Sequence, residues 1–132
     1  MTVVLDSCAA VEIALRRPEA TRFAGFVADA DWTIAPSLFI PEVTNTFWKY
    51  HRIADMPIDQ CEAALDRTIA LVDDFHDIGE LARESLAMAV RTGKSAYDMF
   101  FLVLARRHDA LLLTLDQALR KTCEQCSVRV VG

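Results

Sequence analysis

The stretch Ser95-Ala-Tyr-Asp98-Met-Phe-Phe-Leu-Val-Leu-Ala105-Arg-Arg-His-Asp-Ala-Leu111-Leu-Leu-Thr-Leu115-Asp116 decides how the chain is read. Met99 to Ala105 is continuously apolar and too short to span a bilayer. A helix that is apolar all round belongs inside a packed core. Asp98 falls in its first turn. After a short link at Asp109 and Ala110, Leu111 to Leu115 reads as a buried strand with Asp116 at its carboxyl end. An ionised carboxylate beside so much apolar surface costs several kcal/mol, to order of magnitude, unless it is paired. What the two acids share is therefore the functional question.

Outward from this stretch, strands and helices alternate. Thr2 to Leu5 reads as a central strand, and Asp6 or Ser7 caps a helix over Cys8 to Arg16. Pro18 opens a second helix, and Trp32 to Ala35 is a second strand. A helix is expected from Pro36-Ser37 to about His51, with Pro41 near its start, where a missing N–H is tolerated. Pro57 opens a helix over Ile58 to Asp74, and Phe75 to Ile78 forms a brief strand. Gly79 to Thr92 is helical and stops at Gly93. Ser95 caps the Asp98 helix. After the Leu111 strand come a helix over Gln117 to Cys126 and a last strand over Val128 to Val131. This alternation predicts an α/β fold with a central, mostly parallel sheet of four or five strands. Right-handed crossovers place helices on both faces.

A chain of 132 residues that is 53% hydrophobic, with four Gly and four Pro, is expected to form a single domain over residues 1–132. No run of eighteen apolar residues suggests a membrane span, and no basic segment with an apolar leader precedes the first strand. The expected location is the cytoplasm. The net charge of −5 argues at first against a nucleic-acid partner. Acids gathered around bound cations would leave the rest of the chain close to neutral.

In an open parallel sheet, ligands sit beyond the carboxyl ends of the strands. Asp6 and Asp116 should both reach that edge, and Asp98 and Glu42, each near a helix start, can face it too. Four carboxylates without His or Cys favour a hard cation, Mg²⁺ or Mn²⁺. One or two such ions can activate water and polarise a phosphodiester. Each acid also has a structural reading. Asp6 and Asp116 would serve as helix caps, Ser95-x-x-Asp98 as a capping box, and Glu42 as a solvated surface acid.

Four segments resemble the PIN domain, and among its members the small VapC-type toxin ribonucleases of bacterial toxin–antitoxin pairs. They are V-L-D-S at Val4 to Ser7, P-S-L-F-I-P-E-V-T-N at Pro36 to Asn45, S-A-Y-D-M-F-F-L-V-L-A at Ser95 to Ala105, and L-L-T-L-D-Q-A-L at Leu112 to Leu119. The resemblance implies a three-layer α/β/α sandwich and a Mg²⁺- or Mn²⁺-dependent endoribonuclease. Its acidic positions correspond to Asp6, Glu42, Asp98 and Asp116. Asp6, Asp98 and Asp116 would hold the ion, and Glu42 would act through water. Ser7, Thr114 and Asn45 match polar positions that support the acids. The resemblance also implies a cognate antitoxin and a homodimer, with surfaces on the helices containing Phe39 to Tyr50 and Ile58 to Val72. Met99 stands where the family more often has Ala, and only one acid follows the Leu111 strand.

Candidate RNA contacts are Arg16, Arg17, Lys49, Arg52 and Lys94, each also readable as a solvated surface charge. Phe47, Trp48 and Tyr50 are read as core or interface aromatics, with base stacking as the alternative. His51, His76 and His108 are read as surface residues. Cys123-x-x-Cys126 lacks a second pair at zinc spacing, so the four cysteines are read as ordinary thiols. Three other functions fit parts of the pattern: a PIN nuclease that processes RNA without an antitoxin, a non-catalytic binding module, and an aspartyl phosphatase. The last usually carries a second Asp two residues after the first, where this chain has Cys8.

Overall fold

A computed structural model describes residues 1–132. Its five strands are β1 (Thr2–Leu5), β2 (Trp32–Pro36), β3 (Asp74–His76), β4 (Leu111–Leu113) and β5 (Val130–Val131). All pair in parallel, in the order β3-β2-β1-β4-β5. The chain steps outward from β1 to β2 and β3, then returns to the other side of β1 for β4 and β5. The direction of winding therefore reverses between β1 and β4, and a ligand crevice opens beyond the carboxyl ends of those two strands.

Seven helices flank the sheet: α1 (Ser7–Ala14), α2 (Ala20–Asp29), α3 (Phe39–Ala54), α4 (Ile58–Ala70), α5 (Ala82–Thr92), α6 (Ala96–Arg107) and α7 (Gln117–Gln125). The first four pack on one another, whereas α5 pairs with α6, and α6 lies across β1, β2 and β4. The α6 burial follows from its sequence. Met99 and Phe101 to Ala105 are each no more than 1% exposed, and the strand residues Val3 to Leu5, Leu112 and Leu113 are at 0%. Phe100 alone in this run is half-buried. Packing α6 this tightly also fixes its first turn, which carries Asp98.

Several boundaries differ from those expected. The helix predicted to reach Asp74 ends at Ala70. Thr33 exchanges bonds with Asp73, its N–H donating to the carboxylate and its carbonyl accepting the Asp73 N–H, and this draws the chain into β3. Residues 78–80 form a single 3-10 turn before α5, so that helix starts at Ala82 rather than Gly79. Gly93 ends α5 with φ of +71°, the left-handed conformation a helix stop requires. β4 stops at Leu113, two residues early. Thr114 N–H still donates to Val131, but Leu115 N–H turns away to Cys8 Sγ.

The reading of the histidines as surface residues holds for His51 alone. His76 and His108 are half-buried and meet edge-on with ring centroids 4.9 Å apart, and both pack on Trp32. An aromatic neighbour at the rim of the sheet gives an imidazole more burial than its polarity alone suggests.

Truncating α6 tests the burial. Phe101→Ala should cost about 3–5 kcal/mol in urea denaturation, and Phe100→Ala distinctly less. Equal losses would contradict the assigned packing.

Candidate active site

Each of the four acids is delivered by a different piece of local structure. Asp6 follows β1, and its backbone N–H donates to Leu113 O, which extends the ladder by one residue. It caps α1, Oδ1 accepting from Ser7 N–H at 2.8 Å. Asp116 caps α7, Oδ1 accepting from Ala118 N–H and Leu119 N–H. Glu42 lies in the first turn of α3 and Asp98 in that of α6. Ser95 caps α6 through Tyr97 N–H, while the Asp98 carboxylate accepts no hydrogen bond from the protein, so the Ser95-x-x-Asp98 box does not close. Two of the acids therefore act as caps and also face the crevice.

The four line one cleft of about 690 Å³, together with Ser7, Asn45, Arg17 and Lys49. Hydroxyl groups tie the acids to each other. Thr114 Oγ1 donates to Asp6 Oδ2 at 2.6 Å and accepts from Asp116 N–H at 3.0 Å. Ser7 Oγ donates to Glu42 Oε1 at 2.8 Å. Asn45 lines the cleft on its exposed side and makes no side-chain hydrogen bond.

Cys8, which the sequence reading assigned no role, lies in the same cleft. Its thiol donates to Asp6 Oδ2 at 3.3 Å and accepts from Leu115 N–H at 3.3 Å. It thereby links the turn after β1 to the turn after β4. Burial, reinforced by the Asp6 charge, pushes the thiol up to about 12, so it is a neutral donor. Its position two residues after Asp6 is the only sequence signal for this contact.

The cleft is electrostatically strained without a cation. Burial raises the Asp6 carboxyl above its ordinary value, against hydrogen bonds from Thr114, Cys8 and Ser7, and Asp116 adds to the rise. Burial likewise raises Asp98, with Asp116 and Asp6 contributing and Lys94 opposing. Glu42 is pushed up to about 7, first by burial and then by Asp6 and Asp98, against the Ser7 bond. Hard oxygen donors that raise one another in this way suit a divalent cation of the Mg²⁺ class. As the side chains stand, no three acidic, His or Cys groups close around a single point. Asp6 is turned to its three donors and Asp116 to the α7 amides, so coordination requires carboxylates to rotate.

Of the basic candidates, Lys49 and Arg17 line the cleft. Arg16 and Arg52 do not. Arg16 is exposed in the left-handed turn after α1, and Arg52 stacks over the Trp48 ring. Lys94 lines a neighbouring cleft beside α7. Phe47 is core at 2% exposure and Trp48 is 54% exposed, so the aromatic stripe divides between interior and surface.

A sequence profile of the PIN domain matches residues 3–125. The chain belongs to the PIN-domain family. A curated protein similar to this PIN domain is Ribonuclease VapC3 of Pyrobaculum aerophilum, 25% identical over 121 residues, spanning 90% of this chain and 92% of that protein. Among solved structures, PAE2754 from Pyrobaculum aerophilum superposes with a TM-score of 0.71 at 21% identity, covering 92% of this chain and 87% of that one. VapBC2 from Rickettsia felis, bound to a DNA fragment from its promoter, gives 0.71 at 14% identity over 99% and 98%. FitAcB from Neisseria gonorrhoeae gives 0.65 at 14% over 98% and 96%. These structures share the fold of this PIN domain.

Two measurements test the geometry. Thr114→Val removes the bridging hydroxyl at nearly constant volume. It should cost about 1–3 kcal/mol in urea denaturation, and an unchanged midpoint would contradict the bridge. The second concerns Glu42, whose carboxyl in the folded, metal-free protein holds its proton up to about 7 instead of 4.5. The stability Glu42 contributes is therefore fully present below about 4.5 and lost as pH rises through about 7. The Tm of wild type minus that of Glu42→Gln in EDTA should fall across this window, and a flat difference would refute the assignment.

Proposed function

We propose that this PIN domain is a Mg²⁺- or Mn²⁺-dependent endoribonuclease, the toxin of a toxin–antitoxin pair, acting in the cytoplasm with residues 1–132 as one catalytic unit. The observation that carries the reading is the meeting of Asp6, Glu42, Asp98 and Asp116 in one cleft of a PIN-family chain. The similarity to a protein named Ribonuclease VapC3 supports RNA as substrate.

In this proposal Asp6, Asp98 and Asp116 would hold the cation, and Glu42 would act through water. When bound, such a cation supplies positive charge to phosphate oxygens and acidifies water. The protein's own contribution is positional. Ser7 holds Oε1 of Glu42, which leaves Oε2 to orient an attacking water and take its proton. The water oxygen bonds to phosphorus as one P–O ester bond breaks, and the departing oxygen takes a proton from solvent, giving a phosphate end and a hydroxyl end. Thr114 and Cys8 hold Asp6 in register with Asp116. Lys49 and Arg17 neutralise backbone phosphates at the rim of the cleft, and Asn45 offers an amide there.

Exposed apolar side chains support protein partners. Trp48, Ile53 and Ile58, exposed by 54%, 76% and 58%, lie around the α3–α4 turn and suit the antitoxin. Leu86, Val90 and Tyr97, exposed by 62%, 78% and 64%, form a second apolar group on α5 and the start of α6 that suits a second copy of the chain.

Purified protein should cut RNA with Mg²⁺ or Mn²⁺ and lose this activity in EDTA and in Asp98→Asn. Glu42→Gln should lower kcat by about 10²–10⁴-fold. Equal cleavage under all four conditions would reject the proposal.

A further inference from the structure

Beside the carboxylate cleft lies a second one of about 470 Å³, between the α5–α6 turn and α7. Its polar lining is Thr92, Lys94, Gln117, Lys121, Thr122 and Gln125, with no acid among them. The two clefts adjoin along the chain. Asp116 lines the first and Gln117 the second, and Lys94 directly precedes the Ser95 cap of the helix that carries Asp98.

The two lysines of this second cleft are in no ion pair. Both Lys94 and Lys121 are exposed, whereas Arg22, Arg106, Arg107, Arg120 and Arg129 are held in ion pairs. The threonine hydroxyls are already committed, Thr92 to Met88 O and Thr122 to Ala118 O. What faces the cleft is two ammonium groups and two side-chain amides, a set that suits an oxyanion. The carboxylate cleft has the opposite character, with five acids against Arg17 and Lys49. A polyanion crossing it needs positive charge on both sides. Arg17 and Lys49 come from the α1–α2 turn and α3, and the lysine pair comes from the α5–α6 turn and α7.

We infer that the Lys94–Lys121 cleft binds a backbone phosphate of the single-stranded RNA whose neighbouring diester lies at the four carboxylates. The inference rests on the nuclease reading for the identity of that diester. Lysine is a point charge without the planar fork of arginine, so the subsite holds the strand and does not read its sequence.

The test measures anisotropy of a fluorescein-labelled ten-nucleotide RNA binding to Asp98→Asn protein in Mg²⁺ across a chloride series. Adding Lys94→Gln and Lys121→Gln should weaken binding about tenfold at 0.1 M salt. It should also reduce the slope of log K against log salt by about 0.7, the value for one neutralised phosphate of a single strand. Arg129→Gln, which removes a cation paired with Asp109 away from both clefts, should change neither. Inorganic phosphate should compete no better than chloride at equal ionic strength. An unchanged slope in the double lysine variant overturns the inference, as does lysine-dependent displacement by millimolar phosphate, which would mark a site for the free anion. If wild type cuts RNA and the slope is unchanged, only the subsite falls. If wild type fails to cut RNA yet the slope depends on the lysines, the subsite stands and the nuclease reading falls. Absence of any RNA binding at low salt overturns both.

Discussion

The hydroxyl of Thr114 carries more of this structure than its size suggests. It donates a hydrogen bond to the buried Asp6 carboxylate and accepts one from the Asp116 amide. The turns after the two strands at the winding reversal are thereby locked together through a single atom. A carboxylate that is only 8% exposed, like Asp6, would be untenable without such partners. The Ser7 amide and the Cys8 thiol complete its shell. Each of these donors is placed by regular structure, by the start of α1 or the end of β4, so the fold and the acid site stabilise one another.

The second constraint is repulsion. Bringing Glu42 and Asp98 up to the same crevice raises both, and only Lys94 among the cations opposes the rise at Asp98. The core bears this cost. Phe101 to Ala105 of α6 are buried against β1, β2 and β4, so Asp98 cannot withdraw without disturbing a helix seated in the core. The fold stays intact under the repulsion, and the strain is available to favour a divalent cation. Binding such an ion would recover energy that burial and like charge have stored.

The parallel α/β architecture was legible because its signals are long and consistent: an all-apolar helix, a β-branched first strand, and acids at the strand ends. Contacts made across the chain were less so. The residues after Ala70 follow helix propensity until Asp73 meets Thr33, a pairing forty residues apart that no local pattern announces. β4 ends at Leu113 because the Leu115 amide prefers the Cys8 sulfur, again a partner from the other end of the sequence. The same holds for His76 and His108, brought together by β3 and the end of α6. Among the basic residues, sequence spacing could not separate Lys49, which faces the cleft, from Arg52, which stacks on Trp48. The acids were easier, since an acid that caps a helix after a strand also stands at the crevice, as Asp6 and Asp116 do.

In the proposed function these carboxylates rotate to hold one hard cation. Anomalous diffraction from a crystal soaked in Mn²⁺ tests it most directly. The expected result is a peak within bonding distance of Asp6, Asp98 and Asp116, with Glu42 facing it across a water. At saturating Mn²⁺, an empty crevice with the side chains still turned to Ser7, Thr114 and the α7 amides would contradict it.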